Sequence, residues 1–274
     1  MIDAHFHIWQ LARGDYGWLT PALKGIYRDV TVVDWQRESA PCGVRGGVLV
    51  QAAPTDAETA FLLEAARGND AVMGVVGWAN LLAPDAVQRV EKLALQPKLK
   101  GLRPMLQDIA QVDWILQNAV QPALHAMAAC GLALDALVKP EHLPIISVLA
   151  ARHPRLRIVI DHGAKPTIAN DSTSAASSQW ARDVHRLARE SEVVCKLSGL
   201  WTQAPHGSPV QVVRNYAEQV LDSFGAPRVM WGSDWPVLEL AGAYAQWHAF
   251  ALSLVPVGQH ADVFEGTARR IYAL

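Results

Sequence analysis

An α/β fold, closed as a single (β/α)8 barrel, is predicted by three features of this sequence. Eight short apolar runs recur along the chain, each is followed by a turn and a stretch with helical spacing, and 274 residues is a length that accommodates eight such units. The runs are Ile2 to Ile8, Gly47 to Gln51, Val72 to Trp78, Lys100 to Met105, Leu132 to Val138, Arg157 to Asp161, Val193 to Leu197 and Arg228 to Gly232. Most are continuously apolar rather than alternating, as expected of parallel strands covered on both faces. Parallel neighbours need a crossover.

Several of those crossovers are legible. Thr55-Asp-Ala-Glu58 has capping-box spacing and precedes Phe61, Leu62, Ala65 and Ala66, with Gly68 as a stop. Pro84-Asp85 opens a stretch with Val87, Val90 and Leu93 on one face. Trp180, Val184 and Leu187 repeat the spacing, as do Trp247, Phe250, Ala251 and Leu254. A doubly wound open sheet is the competing arrangement. There is no sequence repeat, linker or charge block, so one domain spanning residues 1–274 is expected.

Three stretches fit neither element: Gln10 to Val30, Gly163 to Ser178 and Thr202 to Pro209. Each follows a strand, on the barrel face that carries active sites, and long loops there are commonly lids or binding loops.

Composition narrows the function class. A 51% hydrophobic chain has material for one large core, and 24 basic against 26 acidic residues build no patch for nucleic acid or an anionic membrane. No apolar run approaches a membrane span and no signal peptide is visible. Three scattered cysteines (Cys42, Cys130, Cys195) argue against a disulfide framework or a cysteine zinc site. A cytoplasmic protein, as monomer or homodimer, is the expectation. The aromatic usage is unusual: 10 Trp against 5 Phe and 5 Tyr.

The chemistry concentrates at strand ends. In Asp3-Ala-His-Phe-His-Ile-Trp9, His5 and His7 are two apart on a strand and share a face, so both imidazoles can ligate a metal or polarise a carbonyl. His162 ends the sixth strand before Gly163, and Asp234 follows the eighth before Trp235-Pro236. In a barrel these ends converge on one pocket. Each residue has a plain structural reading, a packed histidine or a helix cap, but the four together at three strand ends are hard to explain as packing. Other strand ends offer Gln51, Trp78, Asn80, Arg103, Asp135 and Lys196. Arg103 could bind an oxygen in a forked geometry or form a rim salt bridge with Asp135. Lys196 could face inward or outward. Of the remaining histidines only His206 lies in a loop that could reach substrate. There is no dinucleotide-binding glycine motif, P-loop or nucleophile elbow.

Asp3-Ala-His-Phe-His-Ile-Trp9, Gly101-Leu-Arg-Pro104, Asp161-His-Gly-Ala-Lys-Pro166, Cys195-Lys-Leu-Ser-Gly-Leu200 and Trp231-Gly-Ser-Asp-Trp-Pro-Val237 together resemble the amidohydrolase superfamily. The branch they resemble comprises TIM-barrel metal-dependent hydrolases and includes sugar lactonases of the L-fuconolactone and L-rhamnonolactone type. The resemblance runs from residue 2 to Tyr272. It matches His5 and His7 to the family's strand-one pair, His162 to its strand-six histidine and Asp234 to its strand-eight aspartate. Where better-known members carry a Lys or Glu on strand four and a His on strand five, this chain has Arg103 and Asp135. A binuclear centre is therefore not expected; one divalent, zinc-type ion on His5, His7 and Asp234, or none, is implied.

The reaction implied is hydrolysis of a sugar-acid lactone. Asp234 activates water, His5, His7 and Arg103 stabilise the oxyanion, and Asp234 returns the proton to the ring oxygen. His162 completes the catalytic set. Trp9, Trp78, Trp201 and Trp235 would pack on sugar C–H faces, with Gln51 and Lys165 reading polar groups. The alternatives are a metal-dependent decarboxylase of an aromatic or unsaturated acid and a non-catalytic sugar-acid-binding barrel.

Overall fold

The computed structural model describes residues 1–168 and 178–274. Its strands are β1 (Ile2–Phe6), β2 (Gly46–Val50), β3 (Val72–Gly77), β4 (Leu99–Leu102), β5 (Ala133–Ala136), β6 (Ile158–Ile160), β7 (Val193–Leu197) and β8 (Val229–Trp231). All pair in parallel with their sequence neighbours in the order β1 to β8. Beyond the end of β8 the ring is joined to β1 by Asp234 N–H to His5 O and His7 N–H to Trp235 O, both 2.8 Å. The barrel, not an open sheet, is the observed architecture.

Among the described residues an α-helix follows each strand: α1 (Val32–Ser39), α2 (Asp56–Ala66), α3 (Ala86–Ala94), α4 (Gln121–Ala129), α5 (Leu143–Arg152), α6 (Gln179–Leu187), α7 (Val210–Phe224) and α8 (Tyr244–Leu254), with a terminal α9 (Thr267–Tyr272). Thr55 caps α2 by accepting from Glu58 N–H at 3.0 Å. The box does not close, because the Glu58 carboxylate turns inward and accepts from Ala52 N–H (2.9 Å) and Tyr16 OH (2.8 Å). A full reciprocal box instead starts α1, between Thr31 and Asp34. Trp180, Val184 and Leu187 are the buried stripe of α6, and Trp247, Phe250 and Ala251 that of α8. No helix among the described residues is long and apolar enough to cross a membrane.

Two apolar layers result. The larger lies between strands and helices; the smaller fills the barrel with Ile2, Ala4, Val48, Val50, Val76, Val159, Val194 and Met230. Ala268, Ile271 and Tyr272 of α9 belong to the inner layer and close the barrel floor. Strand register decides who faces in. A bulge between Asp3 and Phe6 lets Ala4 and His5, adjacent in sequence, both serve the interior. Asp3 points outward, where its carboxylate accepts from the His5 and Ser233 amides, the Ser233 hydroxyl, Trp35 Nε1 and Tyr244 OH. That hub ties β1 to α1, α8 and the turn bearing Asp234.

Candidate active site

Above the apolar filling the barrel interior becomes polar. His5 and His7 point inward with their Nε2 atoms 3.2 Å apart. Asp234 Oδ1 lies 3.3 Å from His7 Nε2, 3.7 Å from His5 Nε2 and 3.8 Å from His162 Nε2, so one carboxylate oxygen meets three imidazoles. All four side chains are buried.

Backbone geometry makes this convergence. Asp234 has φ +58, a left-handed conformation that Asp tolerates better than most residues. Residues 162–165 form one left-handed turn, with φ +54, +57, +62 and +46. Such a turn costs about 1–2 kcal/mol at each non-glycine residue and needs anchoring. Trp180 Nε1–H donates to Gly163 O at 2.7 Å, and His162 Nδ1 shares a 2.8 Å hydrogen bond with the Ser198 hydroxyl. The turn turns both His162 and Lys165 towards the cavity. Gly199 (φ +62) is obligatory beside it, because a Cβ there would stand 2.5 Å from His162 Nδ1.

Charge and burial set the protonation states. Burial pushes the Asp234 carboxyl up, but His162, the His7 hydrogen bond and His5 outweigh this and hold it well below the usual carboxylate range. Burial lowers His162 to about 4, and lowers His5 strongly with help from Lys196. Burial also depresses the Lys165 ammonium.

Beneath the imidazoles is a fully buried charge layer. Lys196 Nζ lies 2.5 Å from Asp135 Oδ2, 3.1 Å from Asp161 Oδ1 and 3.2 Å from His5 Nδ1. Arg103 pairs with Asp161 Oδ2 at 3.2 Å and donates to Gln51 O; its partner is therefore Asp161 and not Asp135. Tyr272 OH reaches up from the floor to Asp135 Oδ2 at 2.7 Å. Two cations face two anions, which balances charges that would otherwise be costly to bury. Burial pushes Asp135 up, whereas for Asp161 it is overridden by Lys196 and His5, which hold that carboxyl well below its usual range.

The donor set suits a divalent ion. His7 Nδ1 donates to Val50 O at 2.7 Å, which leaves Nε2 as the ligating nitrogen of the neutral ring. His5 Nδ1 lies between Lys196 Nζ (3.2 Å) and the Asp161 carboxylate (3.4 Å), and its Nε2 is turned towards His7 and Asp234. Two imidazole nitrogens and one carboxylate oxygen, 3.2–3.7 Å apart, match the ~3.4 Å edge of a tetrahedron with ligand bonds of about 2.0–2.1 Å. Among the described residues, His5, His7 and Asp234 are one of two groups that could hold a metal; the other is His5, Asp161 and His162.

These groups open into a cavity of about 540 Å³, whose walls include His7, Arg103, His162, Lys165 and Asp234. Arg103 borders this cavity, while its Nε is buried among the described residues without a hydrogen-bond partner. Other sequence candidates stand elsewhere. Trp9 is fully buried behind the wall, donating to Arg28 O, and Trp235 is buried with its indole on Glu239. Gln51 is fully buried and donates to Arg103 O, bracing that arginine rather than meeting a ligand. Trp201 lines a separate hollow with His206, and Trp78 an adjoining one. Among the described residues the tryptophan on the main wall is Trp18, from the Gln10 to Val30 loop, tied to Ala52 O at 2.8 Å. The tryptophan excess is thus mostly packing. Of the loop read from Gly163 to Ser178, residues 169–177 lie outside those described. Sequence reasoning passed over Asp161, Ser198, Trp18 and Tyr272. Asp161 alone had a signal, standing two residues after the inward-facing Val159.

Comparison with known proteins gives this geometry a family. The sequence profile of the amidohydrolase family matches residues 2–274. The chain belongs to that family. It is 47% identical over 250 residues to an L-fucono-1,5-lactonase from Burkholderia ambifaria, covering 91% of this chain and 84% of the relative. A second L-fucono-1,5-lactonase, from Burkholderia multivorans, is 33% identical over 100% of this chain and 96% of its own length. A crystal structure of a Burkholderia multivorans amidohydrolase with bound zinc superposes with a TM-score of 0.92 at 33% identity, covering 100% of this chain and 99% of the other.

Proposed function

We propose that this amidohydrolase opens the ring of a sugar-acid lactone of the L-fucono- or L-rhamnono-lactone type. The observation that carries the reading is that the Asp234 carboxylate, two of the three imidazoles it meets (His7 and His162) and Arg103 line one cavity, in a chain 47% identical to an L-fucono-1,5-lactonase.

Ester hydrolysis needs a base for water, a stabiliser for the carbonyl oxygen and an acid for the leaving oxygen. Asp234, ionised at neutral pH, accepts a proton as water attacks the lactone carbonyl carbon. Arg103 and Lys165 face the cavity as cationic donors to the oxygen that becomes negative. With Ser198 donating to Nδ1, the His162 Nε2–H is directed at Asp234 and steadies its charge. When the acyl–oxygen bond breaks, Asp234 returns its proton to the ring oxygen, which leaves as the hydroxyl of the open acid. A divalent ion held by His5, His7 and Asp234 would supply Lewis-acid polarisation of the carbonyl and a more acidic water. Trp18 offers an apolar face for the ring's C–H groups.

All three cysteines are free, which fits a reducing compartment, and a cytoplasmic monomer or homodimer acting on this small molecule is the accompanying proposal. The test is a lactone panel on metal-stripped protein, repeated with Zn2+. Hydrolysis of L-fucono-1,5-lactone or a near stereoisomer is expected. CO2 release from hydroxybenzoates without any lactonase activity would establish a decarboxylase instead.

A further inference from the structure

The catalytic cavity has an annex. A hollow of about 350 Å³ lies between the segment after β3, Trp78 to Leu81, and the segment after β4, Pro104 to Trp114. It shares Pro54, Met105 and Asp108 with the main cavity of about 540 Å³, so these side chains form a sill between two adjoining hollows. The reacting groups lie at or just past the ends of β1, β4, β6 and β8, whereas the annex lies between the segments after β3 and β4.

The annex is built to receive a ring. Trp78 is held by its backbone: its N–H donates to Thr59 Oγ1 and its carbonyl accepts from that hydroxyl, both at 2.7 Å, and Thr59 is buried. Trp78 is partly exposed, as is Trp114, which sits in a single 3-10 turn and packs one side against the core. Pro54 and Pro104 stiffen the walls. Two indoles on rigid backbone give apolar faces at little ordering cost. Asn80 and Asp108 are exposed on the rim. An occupant must therefore keep one face dry and its edges wet, and a pyranose does both. A purely apolar ring would cover these polar groups without pairing them.

We propose that the hollow lined by Trp78 and Trp114 is a second subsite that takes a glycosyl ring attached to the lactone, extending the substrate class to aldonolactones that carry another sugar. This rests on the lactonase reading.

The experiment compares kcat/KM for a one-ring lactone, the same lactone bearing a glycosyl group, and its benzyl ether, in wild type, Trp114→Ala and Trp114→Phe. Melting curves establish that the variants are folded. The ratio of two-ring to one-ring kcat/KM is expected to fall about tenfold in Trp114→Ala, the size of one stacked ring, and to recover largely in Trp114→Phe. An unchanged ratio, or a wild type that hydrolyses only the one-ring lactone, overturns the subsite. A Trp114-dependent preference for the benzyl ether over the glycoside overturns the sugar assignment. If no lactone of any size turns over, the lactonase reading itself has failed. Calorimetric titration of wild type and Trp114→Ala with the open two-ring acid then decides the subsite: binding that weakens in the variant supports it, and equal or absent binding rejects it.

Discussion

Asp234→Asn isolates the proposed base with little else disturbed. The residue sits at φ +58, where Asn is as well tolerated as Asp, and the amide has nearly the same volume. The amide nitrogen can still donate to His7 Nε2, now 3.3 Å from Oδ1, so the turn that closes β8 on β1 should persist. What is lost is the ability to take a proton from water. General-base assistance contributes about 10²–10⁴ in rate, which at ~1.36 kcal/mol per decade is roughly 3–5 kcal/mol of barrier. We therefore expect kcat for lactone opening to fall by about 10²–10⁴ with KM changed little, because the base acts mainly in the transition state. The assay is proton release against a weak indicator buffer, with spontaneous lactone hydrolysis subtracted, alongside a melting curve. Asp234→Ala is the informative contrast: it adds the left-handed strain of a residue with a Cβ and no local hydrogen-bonding group, about 1 kcal/mol, and should melt lower than the Asn variant. An Asp234→Asn enzyme with native melting and a rate within threefold of wild type would remove Asp234 from the role of base.

Three further outcomes are expected. Tyr272→Phe deletes the 2.7 Å bond to the buried Asp135 and should cost about 1.5–3 kcal/mol, read as a lower urea midpoint; an unmoved midpoint would mean the floor is not tied through that hydroxyl. Zn2+ at 100-fold excess over its Kd should raise the melting temperature of wild type by about 5 °C and that of His7→Ala by far less, whereas no shift in wild type at millimolar Zn2+ would point to metal-free chemistry. His162, lowered to about 4 by burial, binds fewer protons folded than unfolded between that value and the ordinary 6.5. Stability from its neutral form is thus complete above pH 6.5 and lost as pH falls towards 4, by at most about 3 kcal/mol. Urea unfolding at pH 7, 5.5 and 4 should show a shallower decline in His162→Gln, and identical pH slopes would contradict it.

The eight strands were legible because each is a short apolar run ended by a turn, a signal local in sequence. His5 and His7 were legible as a pair because side chains two apart on a strand share a face, and His162, Asp234 and Arg103 because they stand at strand ends. Fine contacts were less so. Arg103 pairs with Asp161 rather than Asp135, a choice between β5 and the end of β6 made across the barrel lumen. The alternation of β7 allows Lys196 to face in or out, and the register of β7 against β6 and β8 puts it beside Asp135. Gln51, placed at a strand end like Arg103, turned out to brace it.

The tryptophans mark the division most clearly. By itself the sequence determined the barrel, its polar end and the residue types gathered there, because strand periodicity, turn chemistry and the convergence of parallel strand ends are properties of the chain and of closure. It could not determine which tryptophan meets a ligand. Trp9 and Trp235 flank the catalytic residues in sequence yet are buried behind the wall, whereas Trp18 reaches the wall from a loop and Trp114 lines the annex from another. Once β1 ends at Phe6 its alternation no longer governs where a side chain points, and loop paths are set by distant anchors such as the bond from Trp18 to Ala52 O. Those anchors join residues far apart in the chain, and only the folded barrel brings them together.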